Sequence, residues 1–299
     1  MPSQETTRTA VLNDPREAGP KKQEPQQQSI PGTDSELRPR ADHGEQSYRG
    51  YGRLKDKVAL IAGADSGIGR AVAIAYAREG ADVVISYLEE DADAQETAKW
   101  VEQAGRRATC IRGDIQSEEH CKHLVEKTID EFGGIQVLVN NAAFQITHGK
   151  IDEWPSEDFE RCLRTNVLAM FYLCKSAMPR MRPGSVVINT ASIEAFDPSP
   201  VLLGYTTTKA AIVNFTKAVG KMTKQNGIRV NAVAPGPVWT PLIPSTFPPD
   251  KVEKFGSDTM FGRAAQPADI APAYVFLASD DSRYMTGEVI GLTGGQTPF

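Results

Sequence analysis

Val58-Ala59-Leu60-Ile61-Ala62-Gly63-Ala64-Asp65-Ser66-Gly67-Ile68-Gly69 is the stretch on which the reading of this chain turns. Val58–Ala62 is a short apolar run of the kind a buried strand needs. Three glycines spaced GxxxGxG then make a turn, and an alanine-rich helical segment follows. A strand that enters a glycine turn and leaves as a helix offers backbone N–H groups and a positive dipole end to an anion. Glycine suits the turn because a Cβ would block the approach of a pyrophosphate. The string alone is weak, but its strand–turn–helix setting makes it a nucleotide-binding turn.

The same alternation continues outward. Val83–Ile85, Ala108–Ile111, Val137–Val139, Ser185–Asn189, Arg229–Val233 and Val289–Leu292 read as further buried strands. Helical stretches fill the gaps: Gly69–Glu79, Ala92–Gln103, Ser117–Glu131, Asp158–Met178, Gly204–Thr223 and Pro267–Ala278. Strands alternating with helices predict an α/β fold with a doubly wound parallel sheet, in a single domain over residues 51–299. Residues 1–50 are rich in Pro, Gln and charge and too poor in apolar residues to fold alone. They read as a disordered or extended N-terminal arm, laid on a neighbouring subunit and dispensable for a site built from later residues.

Composition narrows the function. A 299-residue chain with 40% apolar residues can bury a large core, and a net charge of −5 gives no basic field for nucleic acid or anionic membrane. Cys110, Cys121, Cys162 and Cys174 form no CxxC pair and fall within predicted elements, the pattern of reduced thiols in a cytoplasmic protein. The longest uncharged stretch, 230–249, is interrupted by prolines and cannot be a membrane helix. The N-terminus shows no apolar secretory region. His120 and His123, i and i+3 around Cys121, lack further ligands and read as a solvated face; no metal is expected.

Tyr205-Thr206-Thr207-Thr208-Lys209 places a phenol and an ammonium one helical turn apart on the same face, with Ser192 upstream. An ammonium near the phenol favours the phenolate and brings it toward the range in which general acid/base catalysis works.

Taken in order, Ala62–Gly69, Asp114-Ile115, Asn140-Asn141-Ala142-Ala143, Asn166, Ser192, Tyr205–Lys209 and Pro235–Thr240 resemble the short-chain dehydrogenase/reductase family of nicotinamide enzymes, over residues 54–295. The match looks closest to a subgroup of general-stress-type oxidoreductases and aldehyde reductases with a long polar arm. Ala62 stands where the family has Thr and Ala143 where it has Gly; neither change removes a reacting group. The resemblance implies a Rossmann fold and a site in which Tyr205 exchanges the proton and Lys209 depresses the tyrosine and holds the nicotinamide ribose. Ser192 would bind the substrate oxygen, and Asn166 would kink its helix and hold a relay water. Gly63, Asp65, Ser66, Gly67, Ile68, Gly69, Ser86, Tyr87, Leu88, Asp114, Ile115, Asn141, Ala142, Pro235, Gly236, Val238 and Thr240 would line the cofactor, together with Tyr205 and Lys209. It implies a small carbonyl or alcohol substrate, with a sugar or polyol dehydrogenase and a non-catalytic nucleotide-binding regulator as alternatives. It also implies a homotetramer.

The end of the second strand reads Ser86-Tyr87-Leu88-Glu89-Glu90 and lacks the acidic residue that would bind a ribose 2′-hydroxyl. Ser86 can donate to a 2′-phosphate and Arg70 adds charge if it points there, so NADP is favoured, with NAD possible. Glu89 and Glu90 oppose it. Trp239, Phe247 and Phe261 wall the pocket or belong to the core. Phe144, Gln145, Ile193, Glu194 and Phe196 fall beside the reacting groups, and Glu194 turns anions away if it faces inward.

Overall fold

The computed structural model describes residues 13–296. The core strands are β1 Val58–Ala62, β2 Asp82–Tyr87, β3 Ala108–Arg112, β4 Val137–Asn140, β5 Val186–Thr190, β6 Arg229–Pro235 and β7 Val289–Leu292. They form one parallel sheet in the order β3-β2-β1-β4-β5-β6-β7. The helices are α1 Gly67–Arg78, α2 Asp91–Gln103, α3 Glu118–Phe132, α4 Ser156–Leu163, α5 Ala169–Ala177, α6 Leu203–Met222, α7 Leu242–Thr246, α8 Pro249–Glu253 and α9 Pro267–Ala278. One apolar cluster joins α1, α2 and α9 to the sheet, and a second joins α3, α5 and α6 to it. Covering both faces is what lets β1, β2, β4 and β5 be buried at every position. This is the doubly wound α/β arrangement that the alternating pattern predicts. The order reverses between β1 and β4, so the crevice at their carboxyl ends is where such a sheet takes a ligand.

One long helix predicted over residues 158–178 is interrupted. Arg164–Leu168 forms a π turn between α4 and α5, with Asn166 in its middle. Inserting a residue into the helical ladder re-aims the side chains there, and such turns concentrate at working sites. Among the described residues no helix is long and apolar enough to cross a membrane. The four cysteines are unpaired, with burial pushing their thiols up.

Residues 13–50 lie against the domain of their own chain. The contacts are mostly polar, which is how a segment poor in apolar residues can be held. Trp239 Nε1 donates to Pro39 O at 2.7 Å, Arg263 Nε to Pro15 O at 2.8 Å, and Ala268 N to Asp42 O at 2.9 Å. Tyr48 OH donates to Glu79 Oε1 at 2.6 Å. The apolar anchor is Leu37, fully buried against Trp239, Ile243, Val252 and Ala264. Trp239 is therefore core, and it is the arm that completes its surroundings.

Leu37→Ala empties that anchor, a loss of about 2–4 kcal/mol for a buried leucine. Because the arm's other contacts to the domain are mostly polar, the expected result is selective release of the arm. Limited proteolysis should then cut within 15–50 while the domain stays intact. Cleavage no faster than in the parent chain would show that Leu37 does not hold the arm.

Candidate active site

The crevice at the carboxyl ends of the strands is a cavity of about 610 Å³. Its floor is the glycine turn. A Cβ on Gly69 would collide with the Gly63 carbonyl, and one on Gly63, which stands at φ +73°, would lie 2.8 Å from Ala142 Cα. Asn141 Nδ2 donates to Gly63 O at 2.9 Å, tying the end of β4 to the turn. Ser66 gives α1 no side-chain cap. The Gly67 N–H instead goes to Asp34 Oδ2 of the arm at 3.0 Å. Ile68, in the first turn and lining the cavity, has no intrahelical acceptor and leaves its N–H for an anion.

The cavity brings most of the sequence-derived site residues to one surface. Gly63, Asp65, Ser66, Gly67 and Ile68 come from the turn, and Ser86, Tyr87 and Leu88 from the end of β2. Asp114, Ile115, Asn141 and Ala142 follow β3 and β4, and Pro235, Gly236, Val238 and Thr240 follow β6. Ser192, Tyr205 and Lys209 line the same space. Gly69 and Asn166 do not; they act from behind it. Asn166 Oδ1 accepts from Phe144 N at 2.7 Å, and its Nδ2 donates to Phe144 O and Thr208 Oγ1, each at 2.9 Å. The π turn thus clamps the β4–α4 loop onto α6, the helix that carries Tyr205 and Lys209. Both amide hydrogens are spent on protein, which leaves one carbonyl lone pair for a water.

Lys209 is 2% exposed and its Nζ donates to Thr190 O at 2.7 Å, 5.2 Å from the centre of the Tyr205 ring. Burial alone lowers its ammonium to about 7. Burial, with a smaller contribution from the Glu194 charge, pushes the Tyr205 phenol well above its ordinary value, and the neighbouring Ser192 hydroxyl opposes this. Burial therefore opposes the depression of Tyr205 expected from Lys209. Behind them, Tyr274 OH and Thr190 Oγ1 share a hydrogen bond of 2.7 Å, and Thr190 Oγ1 donates to Asn141 Oδ1 at 3.2 Å. Thr190 and Tyr274 were not singled out in the sequence: Thr190 follows the strand expected at Ser185–Asn189, and Tyr274 falls within the helix expected at Pro267–Ala278.

Several flanking expectations change. Arg70 turns away from the cavity: its Nε donates to Asp65 O at 2.9 Å, and it pairs with Asp34 at 3.4 Å, Asp93 at 3.2 Å and Glu96 at 3.3 Å. It supplies nothing to a 2′-phosphate. Phe247 lines the cavity, as do Phe144, Gln145, Ile193 and Glu194, whereas Trp239, Phe261 and Phe196 do not. Glu194 does face inward, with one oxygen accepting from Ser199 N at 2.6 Å, and burial raises its carboxyl. His123 is exposed, but His120 is half-buried against Gly113. The described residues contain no cluster able to hold a metal. The arm adds Ile30, Pro31 and Gly32 to the cavity wall and Asp34 to the turn, so the site is not built from later residues alone. No periodicity or motif signals this.

Comparison with known proteins gives this geometry its class. The family profile described as "Enoyl-(Acyl carrier protein) reductase" matches residues 62–297. General stress protein 39 of Bacillus subtilis is 50% identical over 265 residues, covering 89% of this chain and 93% of the relative. Glucose and ribitol dehydrogenase of Daucus carota is 44% identical, covering 90% and 94%. NADPH-dependent aldehyde reductase 1, chloroplastic, of Arabidopsis thaliana is 42% identical, covering 90% and 96%. A crystal structure of a short-chain dehydrogenase from Burkholderia cenocepacia in complex with NADP superposes with a TM-score of 0.77 at 28% identity, over 82% of this chain and 99% of that one. The chain belongs to the short-chain dehydrogenase/reductase family of oxidoreductases.

The arm joins this site through a buried ion cluster. His43 Nε2 lies 3.1 Å from Asp34 Oδ2 and its Nδ1 3.0 Å from Glu45 Oε1. Burial opposes its charge, but Asp34 and Glu45 win and raise it to about 9. A raised folded value means that the charge stabilises docking in full below pH 6.5 and that this is lost as pH rises through about 9. Asp34 and Glu45 are lowered, so their own contributions fail only on acidification. Protease sensitivity of residues 13–50 should therefore increase between these pH values and become pH-independent over that range in His43→Gln. An arm equally protected at both ends of the range would contradict the assignment.

Proposed function

We propose that the chain is an NADP-dependent reductase of small aldehydes or ketones, with Tyr205 as the proton donor. The observation that carries this is the meeting of Tyr205, Ser192 and Lys209 on one wall of the cavity whose floor is the glycine turn. The cavity fits a dinucleotide in three respects. Its turn admits no Cβ at Gly69, the Ile68 N–H in the first turn of α1 has no intrahelical acceptor, and Ser86 Oγ is buried there without a hydrogen bond. NADP is supported by the ligand of the Burkholderia structure and by the name of the Arabidopsis relative.

When bound, the nicotinamide supplies or accepts the hydride. The chain handles the proton and the developing charge. A phenol held above its ordinary pKa carries its proton at neutral pH, the form needed to protonate an alkoxide. Ser192, whose Oγ accepts from Glu194 N at 3.2 Å, holds its hydroxyl beside the Tyr205 phenol, where it can donate to the substrate oxygen. Lys209, poised near neutrality and fixed by Thr190, re-protonates the phenol and holds the ribose hydroxyls of the cofactor. Glu194 at the wall disfavours anionic substrates. The carrot relative's name favours a second reading, oxidation of sugars or polyols through the same residues. Leu168 and Phe171, exposed at the π turn and α5, support association through that face into a homotetramer.

Tyr205→Phe keeps the ring and removes the titrating oxygen. Turnover on a panel of aldehydes, ketones, sugars and polyols should fall by about 10²–10⁴-fold while NADP binding, read by calorimetry, holds. A variant within about threefold of the parent on its best substrate would rule out this role for Tyr205, since losing a general acid costs far more.

A further inference from the structure

The end of the cavity bounded by the glycine turn and β2 has an unusual chemistry for a site that takes a phosphate. Asp65, Ser86, Tyr87, Leu88 and Glu90 line it, and no basic residue stands among them. Ser86 is 1% exposed and its Oγ has no hydrogen-bond partner, so it is a donor waiting for a ligand. Asp65 is 7% exposed. Its backbone carbonyl is structural, accepting from Arg70 Nε at 2.9 Å and Thr97 Oγ1 at 3.0 Å, but none of the structure's ion pairs engages its carboxyl. The nearest guanidinium, Arg70, is consumed by Asp34, Asp93 and Glu96.

We propose that the Asp65 carboxyl reads the ribose 2′ position: ionised it accepts a hydrogen bond from a 2′-hydroxyl, and only when protonated does it donate one to a 2′-phosphate. The inference rests on the dinucleotide reading of the cavity. It makes cofactor choice depend on pH. Burial, then the Glu90 charge, hold this carboxyl near neutrality, at about 7. Asp34 adds to the rise, while the Ser66 hydroxyl and the residue's own N–H oppose it. Arg70 approaches from the backbone side, and His43 reaches the cluster only through Asp34. Protonation therefore removes a carboxylate from a pocket that already holds Glu90, and the phosphate replaces a repulsion with a hydrogen bond. Ser86 donates in either state.

The test is equilibrium binding to the full chain, by calorimetry, of NADP and NAD, and of 2′,5′-ADP and 5′-AMP as fragments that isolate the adenosine end. Between about pH 6 and pH 8.5, the affinity for NADP and 2′,5′-ADP should fall at least about tenfold, one decade per unit above the carboxyl's midpoint. NAD and 5′-AMP should change by less than about threefold, since a 2′-hydroxyl does not repel a carboxylate. Asp65→Asn, nearly isosteric and without charge, should bind NADP at about pH 8.5 roughly tenfold more tightly than the parent. It should retain only the dependence that comes from the phosphate's second ionisation, near pH 6. Asp65→Ser should behave as the Asn variant, with melting curves checking both folds. Identical pH profiles for NADP in the parent and the variants would overturn the role of Asp65 while leaving the cofactor site in place. A parent chain that binds none of the four nucleotides at any pH would overturn the cofactor reading itself, and this inference with it.

Discussion

Everything in the site depends on how closely the first turn of α1 approaches the backbone that leaves β1. Gly69 sits so near the Gly63 carbonyl that no side chain fits, and Asn141 bridges the same carbonyl from the β4 side. That contact sets the height of the α1 N-terminus above the sheet and so the depth of the crevice. From Asn141 the tie continues to Thr190 at the end of β5 and from there to Tyr274 on α9. The Thr190 carbonyl meanwhile holds Lys209. A buried network of this kind is stiff because each member, once displaced, leaves an unpaired polar group in a dry interior. The glycine turn and the lysine beside Tyr205 are thus set by one chain of hydrogen bonds.

Burial then decides the acid–base chemistry. Lys209, Tyr205, Asp65 and Glu194 all shift in the direction that disfavours charge. Two of them arrive near neutrality, where a small change in surroundings moves a proton. The arm cluster behaves oppositely: His43 and Arg70 stay charged because Asp34 stands between them. Charge is retained where it fastens the arm to the turn and suppressed along the cavity wall.

Much of this was legible in the sequence, for identifiable reasons. The strands were found because a parallel sheet buried on both faces demands short apolar runs, such as Val58–Ala62 and the Val186–Ile188 of Ser185–Asn189. Tyr205 and Lys209 were found because helical spacing brings them together in any fold. What escaped depends on tertiary contact. The kink at Asn166 was expected from the resemblance, but not its form, a π turn held by Phe144 and Thr208, neither of which is near it in sequence. Arg70 looked available to a phosphate until three carboxylates, one of them from the arm, were seen to claim it. The arm itself has a composition that predicts disorder, and its order comes from Leu37 and from polar groups that match donors scattered over α1, α9 and the β6–α9 connection. Trp239 could be core or pocket wall from its position alone, and the Pro39 carbonyl settles it.

The central claim is that the glycine-turn cavity presents a nicotinamide to a carbonyl beside Tyr205. Its most direct test follows the hydride. The full chain is incubated for a single turnover with NADPH deuterated on one face of nicotinamide C4 and a small aldehyde, and the alcohol is analysed by mass spectrometry. The account predicts complete deuterium transfer to the former carbonyl carbon from one face of the ring and none from the other, because a cavity walled by fixed groups binds the ring one way round. Label appearing equally from both faces, or alcohol formed without label from either, would contradict it.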